Sequence, residues 1–511
     1  MLGKKEFGDY QTPLEFAKNI CDFLLNYKKV NPSVVIEPNC GIGNFIESSF
    51  IFNAQKYIGI DINKEYCDYC KQRFKGHNVD IINENFFDFD LKKLLSKQDT
   101  VLIIGNPPWV NNSFLSSIDS KNLPHKTNLK NLKGLDAITG ASNFDICEYI
   151  ITQLLQFFKN STATIAMLCK TTVARNIFRE VRNQKISFTD FEIIEFDANK
   201  IFGINASACL LYIELSSTKD IHDECKVLSL DNPEECKYSI KWENNKLTLK
   251  DGKSDYDFDG KCCFEWRQGI KHDCSPVMEL SLNDGKFVNG LNEVVDIEPD
   301  IVFPLVKSSM FKTAIVSNFT KYVIVTQKKI GENTEHLQYD VPRTWNYLNA
   351  HLEYFTKRKS TIYKNSHVFS IFGIGDYSYS QYKVGISGFY KKPFFSLLYS
   401  ESRKPVMTDD TSYYISFDSY DDAYVAMLFL NSPIVTRCLL NIAFVDSKRP
   451  FTKKVLDRID FSKICNHLPY EELQKTEKML NLNNYLTKEM LNHFIQIINN
   501  DLFSYQQISC L

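Results

Sequence analysis

Short apolar runs recur through the first half of the chain, and each ends in polar or glycine-containing residues. Ser33-Val34-Val35-Ile36, Tyr57-Ile58-Gly59-Ile60-Asp61, Val79-Asp80-Ile81-Ile82 and Val101-Leu102-Ile103-Ile104 are too short for helices and rich in β-branched side chains, so they predict four strands. A helix is predicted from about Asn44 to Phe52, and another opens at Ser142-Asn143-Phe144-Asp145-Ile146. Thr164–Leu168, Phe191–Phe196 and Ala208–Ile213 predict the remaining strands. Strands alternating with helices predict an α/β sheet over residues 1–215, with ligands bound at the strands' carboxyl ends. From Ser216 the alternation stops. Residues 216–260 are polar and charged and read as a connector; residues 261–465 mix short β-rich runs with turns and predict an α+β domain. Beyond about Tyr470, Leu473, Met479, Leu480, Leu486, Met490, Leu491, Phe494, Ile495 and Ile498 fall at helical spacing, which predicts a helical cap over 466–511.

The loops carry the chemistry. One glycine after the fourth run stands Asn106-Pro107-Pro108-Trp109. Each proline ring fixes φ and removes an N–H, so the strand leaves the sheet as a stiff turn. That turn sets an amide beside an aromatic plane, a combination suited to a flat base with an amino group: the amide oxygen accepts from the amine and the indole stacks on the ring. After the first run comes Glu37-Pro38-Asn39-Cys40-Gly41-Ile42-Gly43-Asn44-Phe45, where Gly41 and Gly43 let the backbone approach a ligand closely. The third glycine of a dinucleotide fingerprint is absent. Asp61, with Ile62 beside it, ends the second run where a carboxylate can take both hydroxyls of a ribose. Asn83-Glu84-Asn85-Phe86-Phe87-Asp88 offers polar atoms and aromatic planes for an adenine. Four loops agreeing on one edge point to an amino-methyltransferase acting on a nucleobase.

Residues 1–215 resemble the catalytic domain of TaqI-like (gamma-order) DNA adenine-N6 methyltransferases of type II restriction-modification systems, in which the cofactor motifs precede the target-recognition region. Tyr10-Gln11-Thr12-Pro13 resembles the family's amino-terminal motif, which touches the methionine part of S-adenosylmethionine. The resemblance implies a Rossmann-like S-adenosylmethionine-dependent methyltransferase sheet followed by a target-recognition domain. It also implies cofactor contacts from Thr12, Glu37, Asn39, Gly41, Gly43, Asp61, Ile62, Asn85 and Phe86. The family often has Asp at the position of Asn85, which makes Asp88 a rival, and Tyr at that of Trp109. Phe202, in Lys200-Ile201-Phe202-Gly203, stands where the family's aromatic closes the second face of a flipped base. Asn106 and the carbonyl of Pro107 would each accept an amine hydrogen, drawing the nitrogen lone pair toward the methyl sulfonium with no metal required. Cytosine carbon methylation needs a Pro-Cys nucleophile after the fourth strand, and none stands there.

Composition adds bounds. A chain of 511 residues holds two or three domains. Fifteen cysteines without an amino-terminal apolar signal segment indicate free thiols in a reducing cytoplasm. Cys67 and Cys70 read as structural thiols, and Cys262, Cys263, His272 and Cys274 as a weak candidate metal cluster. No membrane span is expected. The 60 basic and 62 acidic residues nearly cancel, which hides a local excess: residues 341–460 carry 16 Lys and Arg against 11 Asp and Glu. There Lys357-Arg358-Lys359, Lys383, Lys391, Lys392, Arg403, Lys404, Lys448 and Arg449 lie among aromatics, a pattern suited to double-stranded DNA. Tyr382 through Lys392 resembles a stretch of the family's recognition domain. No nuclease motif is evident, so a cognate restriction endonuclease is expected only as a separate chain. Two alternatives stay open: amino-methyl transfer to RNA or protein glutamine, which predicts a shorter chain, and a non-catalytic DNA-binding subunit, against which the joint presence of Asn106, Asp61 and the glycine loop counts.

Overall fold

The computed structural model describes residues 11–508 apart from 92–93, 97, 111–144, 160, 205, 219–221 and 251–257. Tyr10 and Ser142 to Phe144, named above, lie outside the described residues. The chain divides into two compact units, residues 1–251 and 252–511.

The first unit is built on a ten-stranded sheet. Its strands are β1 (Val34–Glu37), β2 (Lys56–Asp61), β3 (Val79–Asn83), β4 (Val101–Gly105), β5 (Ala163–Lys170), β6 (Phe188–Asp197), β7 (Ser207–Leu215), β8 (Glu224–Ser229), β9 (Asn232–Glu243) and β10 (Lys246–Lys250). The spatial order is β10-β9-β8-β6-β7-β5-β4-β1-β2-β3. Strands β1 to β5 are mutually parallel, while β7 runs antiparallel between β5 and β6. β1 and β4 are buried along their whole length, which explains their unbroken apolar runs. The chain winds outward from β1 to β3, then crosses back to β4. Strand order therefore reverses between β1 and β4, and the crevice beyond their carboxyl ends is where such sheets bind ligands. The helices that frame it are α1 (Leu14–Asn26), α2 (Asn44–Ser48), α3 (Lys64–Arg73), α4 (Ile146–Phe157), α5 (Thr171–Asn183) and α6 (Ala198–Phe202).

The stretch expected to be a connector is part of this sheet. β8 pairs in parallel with β6, and β9 and β10 extend the edge as a hairpin. Asn244 and Asn245, both at positive φ, make its two-residue turn, the conformation that matches strand twist.

The second unit contains a five-stranded and a six-stranded sheet. Tyr382–Ser387 is central in the first, between Ser412–Phe417 and Phe395–Leu398. Its core surrounds the helix Tyr420–Asn431, whose residues from Asp422 onward are all buried. Leu473, Leu486, Phe494 and Ile498 of the carboxyl-terminal helical region enter that same core. The region expected to be a separate cap is thus integral to this unit, because its apolar stripe has no other surface to cover.

Candidate active site

A pocket opens at the carboxyl ends of β1, β2, β3 and β4. Thr12, Glu37, Asn39, Gly41, Asp61, Ile62, Asn85, Phe86 and Asn106 all line it, so nearly the whole set expected from sequence converges. Gly43 is the exception among the nine expected cofactor contacts. It stands before α2 at φ 80°, and a Cβ there would lie 2.6 Å from the Phe74 ring, so glycine is needed for the turn and for packing.

The loop after β1 is held from several sides. Gly41 adopts φ 49° and its N–H donates to Asp61 Oδ2 at 2.8 Å; the N–H of Asn63 donates to Oδ1 at 2.8 Å. Gln11 Oε1 accepts from the N–H of Ile42, and Asn44 Nδ2 donates to the carbonyl of Thr12 at 2.8 Å. Arg73 of α3 donates to the carbonyl of Ile42 and to Asn44 Oδ1. Cys67 and Cys70 are wholly buried, and their thiols donate to the carbonyls of Asp61 and Gly41. Their role is to tie the loop ends together.

Glu37 forms part of the floor. It is 3% exposed, its Oε2 accepts from the N–H of Ile46, and burial pushes its carboxyl well above the usual range. Asn39 Oδ1 is buried and has no hydrogen-bond partner among the described residues. A raised carboxyl and an unsatisfied acceptor in one pocket suit a ligand bearing a positive, hydrogen-donating group. Asn85 lines the pocket, and its Oδ1 also caps the short turn Phe86–Asp88 by accepting from the N–H of Phe87. Asp88, the rival to Asn85, is not among the lining residues. Sequence reasoning missed Tyr66 on α3 and Ile146 and Ile150 on α4; the last two are spaced i, i+4, the one available signal that they share a helix face.

The Asn-Pro-Pro-Trp turn enters from the end of β4, where Asn106, Pro108 and Val110 line the pocket and Pro107 is buried. Trp109 lies outside the lining and donates from Nε1 to the carbonyl of Leu168 at 3.2 Å. Phe202, on α6, meets it edge to face, with ring centres 5.7 Å apart and planes at 71°. It also packs on Phe16 and Phe196. The two rings expected to sandwich a base are therefore adjacent but not parallel. Lys170, unremarked in the sequence, donates from Nζ to the carbonyl of Trp109 at 3.2 Å and to Asp145 Oδ2 at 2.6 Å. Burial raises the Asp145 carboxyl, against the opposing pull of Lys170.

In the second unit the basic residues separate. Lys391 and Lys392 are exposed on the loop between Tyr382–Ser387 and Phe395–Leu398, and Lys391 Nζ donates to the carbonyl of Ser447. This brings them beside exposed Lys448 and beside Arg449, whose guanidinium lies 5.0 Å from the Phe389 ring centre. Arg403 is exposed, whereas Lys404 is anchored to the carbonyl of Pro299 above the Phe303 ring. Lys383 does not belong to any DNA-facing surface. It is 1% exposed in a central strand, donates to the carbonyl of Ser380 at 2.8 Å, and is pushed down to about 7 by burial. Arg358 is likewise committed inward, to the carbonyls of Phe355, Val368, Ser370 and His272. His272 Nδ1 accepts from the N–H of Cys274, and among the described residues no three His, Cys, Asp or Glu side chains converge as metal ligands. No described helix is by itself long and apolar enough to cross a membrane.

A β1-to-β7 sheet with β7 antiparallel, a pocket at the reversal point and an amide-bearing turn beside it define the Rossmann-like methyltransferase fold, here joined to a second unit. The solved Type IIL restriction-modification enzyme MmeI, in complex with DNA, shares that architecture over 100% of this chain and 78% of its own, with a TM-score of 0.54 at 15% identity. The chain is 41% identical over 469 residues to the type II methyltransferase M.NspV of Nostoc sp., covering 89% of this chain and 96% of that one. It belongs to the type II methyltransferases, the DNA methyltransferases of restriction-modification systems. A shorter likeness, 27% identity over 115 residues, links it to the modification methylase CviBIII of Paramecium bursaria Chlorella virus NC1A, covering 21% of this chain and 27% of that one. No family model matches the chain.

Proposed function

We propose that this enzyme methylates the exocyclic N6 amine of an adenine flipped out of a short duplex motif, as the modification enzyme of a cytoplasmic restriction-modification system of TaqI-like motif order. The observation that carries the reading is that Asn106 shares one pocket with Asp61, Ile62 and Asn85. A residue suited to an amine thus stands beside a set suited to a nucleoside. A cognate endonuclease would be a separate chain.

The pocket fits S-adenosylmethionine. Asp61 would take the ribose, Ile62, Asn85 and Phe86 the adenine, and Thr12, Glu37, Asn39 and Gly41 the methionine end. Bound there, the cofactor supplies a methyl group already activated by positive sulfur. The chain's own residues do the rest. Asn106 and the Pro107 carbonyl accept amine hydrogens, which counters delocalisation of the nitrogen lone pair into the ring and stabilises the developing ammonium charge. Trp109 stacks one face of the base, and Phe202 moves aside to cover the other; such contacts, at about 1–3 kcal/mol each, offset the few kcal/mol lost on unstacking.

Single-molecule modification sequencing of a host genome lacking adenine methylation tests this directly. Methyladenine at one short motif is the expected result. A soluble, cofactor-binding protein that leaves no mark would move the assignment to RNA or protein amides.

Glu37 gives a binding signature. Burial raises the Glu37 carboxyl and a cation brought against it lowers its pKa, so cofactor binding at a pH between its free and bound values is expected to release a fraction of a proton. Calorimetry in buffers of different ionisation enthalpy should show this, and Glu37→Gln should abolish it. Heats that do not depend on the buffer would rule out a titrating Glu37.

Lys391 and Lys392 provide the corresponding test for DNA. Replacing both with alanine is expected to weaken binding and to lower the slope of log Kd against log salt by about 1 to 2. An unchanged slope would assign phosphate contacts to another surface.

A further inference from the structure

The two prolines fix φ at positions 107 and 108, but they leave the peptide after Pro108 to be oriented by its surroundings. Among the described residues, three hydrogen bonds do so. The indole N–H of Trp109 donates to the carbonyl of Leu168, the N–H of Ile146 donates to the carbonyl of Val110 at 2.9 Å, and Lys170 Nζ donates to the carbonyl of Trp109. In the first two the group supplied by the neighbouring element is main chain, which any residue at position 168 and any residue but proline at position 146 provides. Only the third depends on a side chain from outside the turn.

That side chain is placed with care. Lys170 is the last residue of β5, the strand next to β4, and it precedes α5. Its partner Asp145 is 6% exposed and divided between two tasks: Oδ1 caps α4 by accepting from the N–H of Cys147, and Oδ2 holds the ammonium. A partly buried ion pair adds little net stability over an apolar pair of similar size. Its geometric consequence is larger, since it joins β5, α4 and the turn at one point.

We propose that Lys170 is a positioning residue for methyl transfer, with Asp145 as its obligatory counter-charge: the pair fixes the Trp109 carbonyl and so sets the indole plane and the amide of Asn106 relative to the target amine. This rests on the reading of the Asn-Pro-Pro-Trp turn as the transfer site. Pairing matters as well as position. Methyl transfer moves positive charge onto the target amine, and an ammonium left without Asp145 would oppose it.

The test is steady-state kinetics of the full-length protein on a duplex containing its methylation motif, with S-adenosylmethionine affinity measured separately. Lys170→Met is expected to lower kcat by about 100-fold, the scale of a displacement near 1 Å, with KM for cofactor and DNA little changed. Lys170→Arg should recover most of that loss, since the guanidinium still reaches both acceptors. Asp145→Asn alone is expected to be slower than the double variant Lys170→Met/Asp145→Asn, because only the single variant retains an unpaired ammonium. Measured as kcat per cofactor-binding site, that inversion does not arise from loss of folded protein, and it is readable even if Lys170→Met alone fails to fold. Wild-type rates in Lys170→Met, or strictly additive losses in the double variant, would overturn the inference while leaving the site assignment standing. A wild-type enzyme inactive on every duplex would instead overturn the proposed DNA substrate, on which this inference rests.

Discussion

Asn106→Ala is expected to lower the rate of methyl transfer by about 100- to 1000-fold, the loss typical when one preorganised hydrogen-bonding group is removed from a transition state. Affinity for S-adenosylmethionine should change little. The separation comes from where the residue sits. Gly105 ends β4 against Glu37, where a Cβ would lie 3.3 Å from Glu37 Cγ, so the turn leaves the sheet directly beside the cofactor loop. Asn106 then lines the pocket from the β4 side, while Asp61, Ile62 and Asn85 line it from β2 and β3. The residues proposed to hold the cofactor do not include the amide. Asn106→Asp should fall between wild type and alanine, because a carboxylate still accepts from the amine but brings a charge into a partly buried site. Single-turnover rates with equilibrium cofactor binding distinguish the steps. Lost cofactor binding with normal turnover per bound complex would remove Asn106 from the chemistry and return it to the cofactor cradle.

The sites legible in the sequence are those fixed by local pattern. Each of the first four strands ends within one residue of its apolar run, and the loop after a parallel strand falls at the sheet's binding edge whatever the distant packing. That is why residues as far apart as Asn39 and Asn106 can be assigned to one pocket, whereas Thr12, which follows no strand, is assigned through the family resemblance. Features that depend on distant neighbours are not legible. Lys170 is one lysine after an apolar strand, and nothing local says that its ammonium meets Trp109 and Asp145. Half of β9 is exposed and only Ser239 and Ile240 are buried, so it lacks the apolar periodicity that marks a strand, although the Asn244-Asn245 turn is a signal in plain view. The spacing of the carboxyl-terminal apolar residues predicts helix correctly, yet it cannot say that Phe494 packs with the helix Tyr420–Asn431. Trp109 and Phe202 are neighbours as expected, but their edge-to-face angle depends on Phe16 and Phe196, which are distant from Trp109 in sequence.

Lys383 is the sharpest divergence, and it carries the largest expected effect on stability. A lysine within an aromatic-rich strand is expected to face DNA only on the premise that one side of the strand is solvated. The strand is instead central in its sheet, with every residue from Lys383 to Ser387 buried. Folded, this ammonium has a pKa of about 7, against an ordinary 10.5, because burial penalises its charge. Between those values the unfolded chain holds a proton that the folded chain has released, so stability rises with pH across that window; below about pH 7 the full penalty applies. A depression from 10.5 to about 7 corresponds to roughly 5 kcal/mol at neutral pH and below. Lys383→Met keeps the length of the side chain and removes the charge, at the cost of the hydrogen bond to Ser380, about 1 kcal/mol. The variant is therefore expected to melt at least about 5 °C higher near pH 6.5. Its melting temperature should also rise less than that of wild type between pH 7 and 10. The salt dependence of DNA binding should be unchanged, in contrast to the Lys391 and Lys392 variant. A lower melting temperature at every pH, with the wild-type slope retained, would show that Lys383 stays protonated and gains more from Ser380 and the Tyr414 ring than burial costs it.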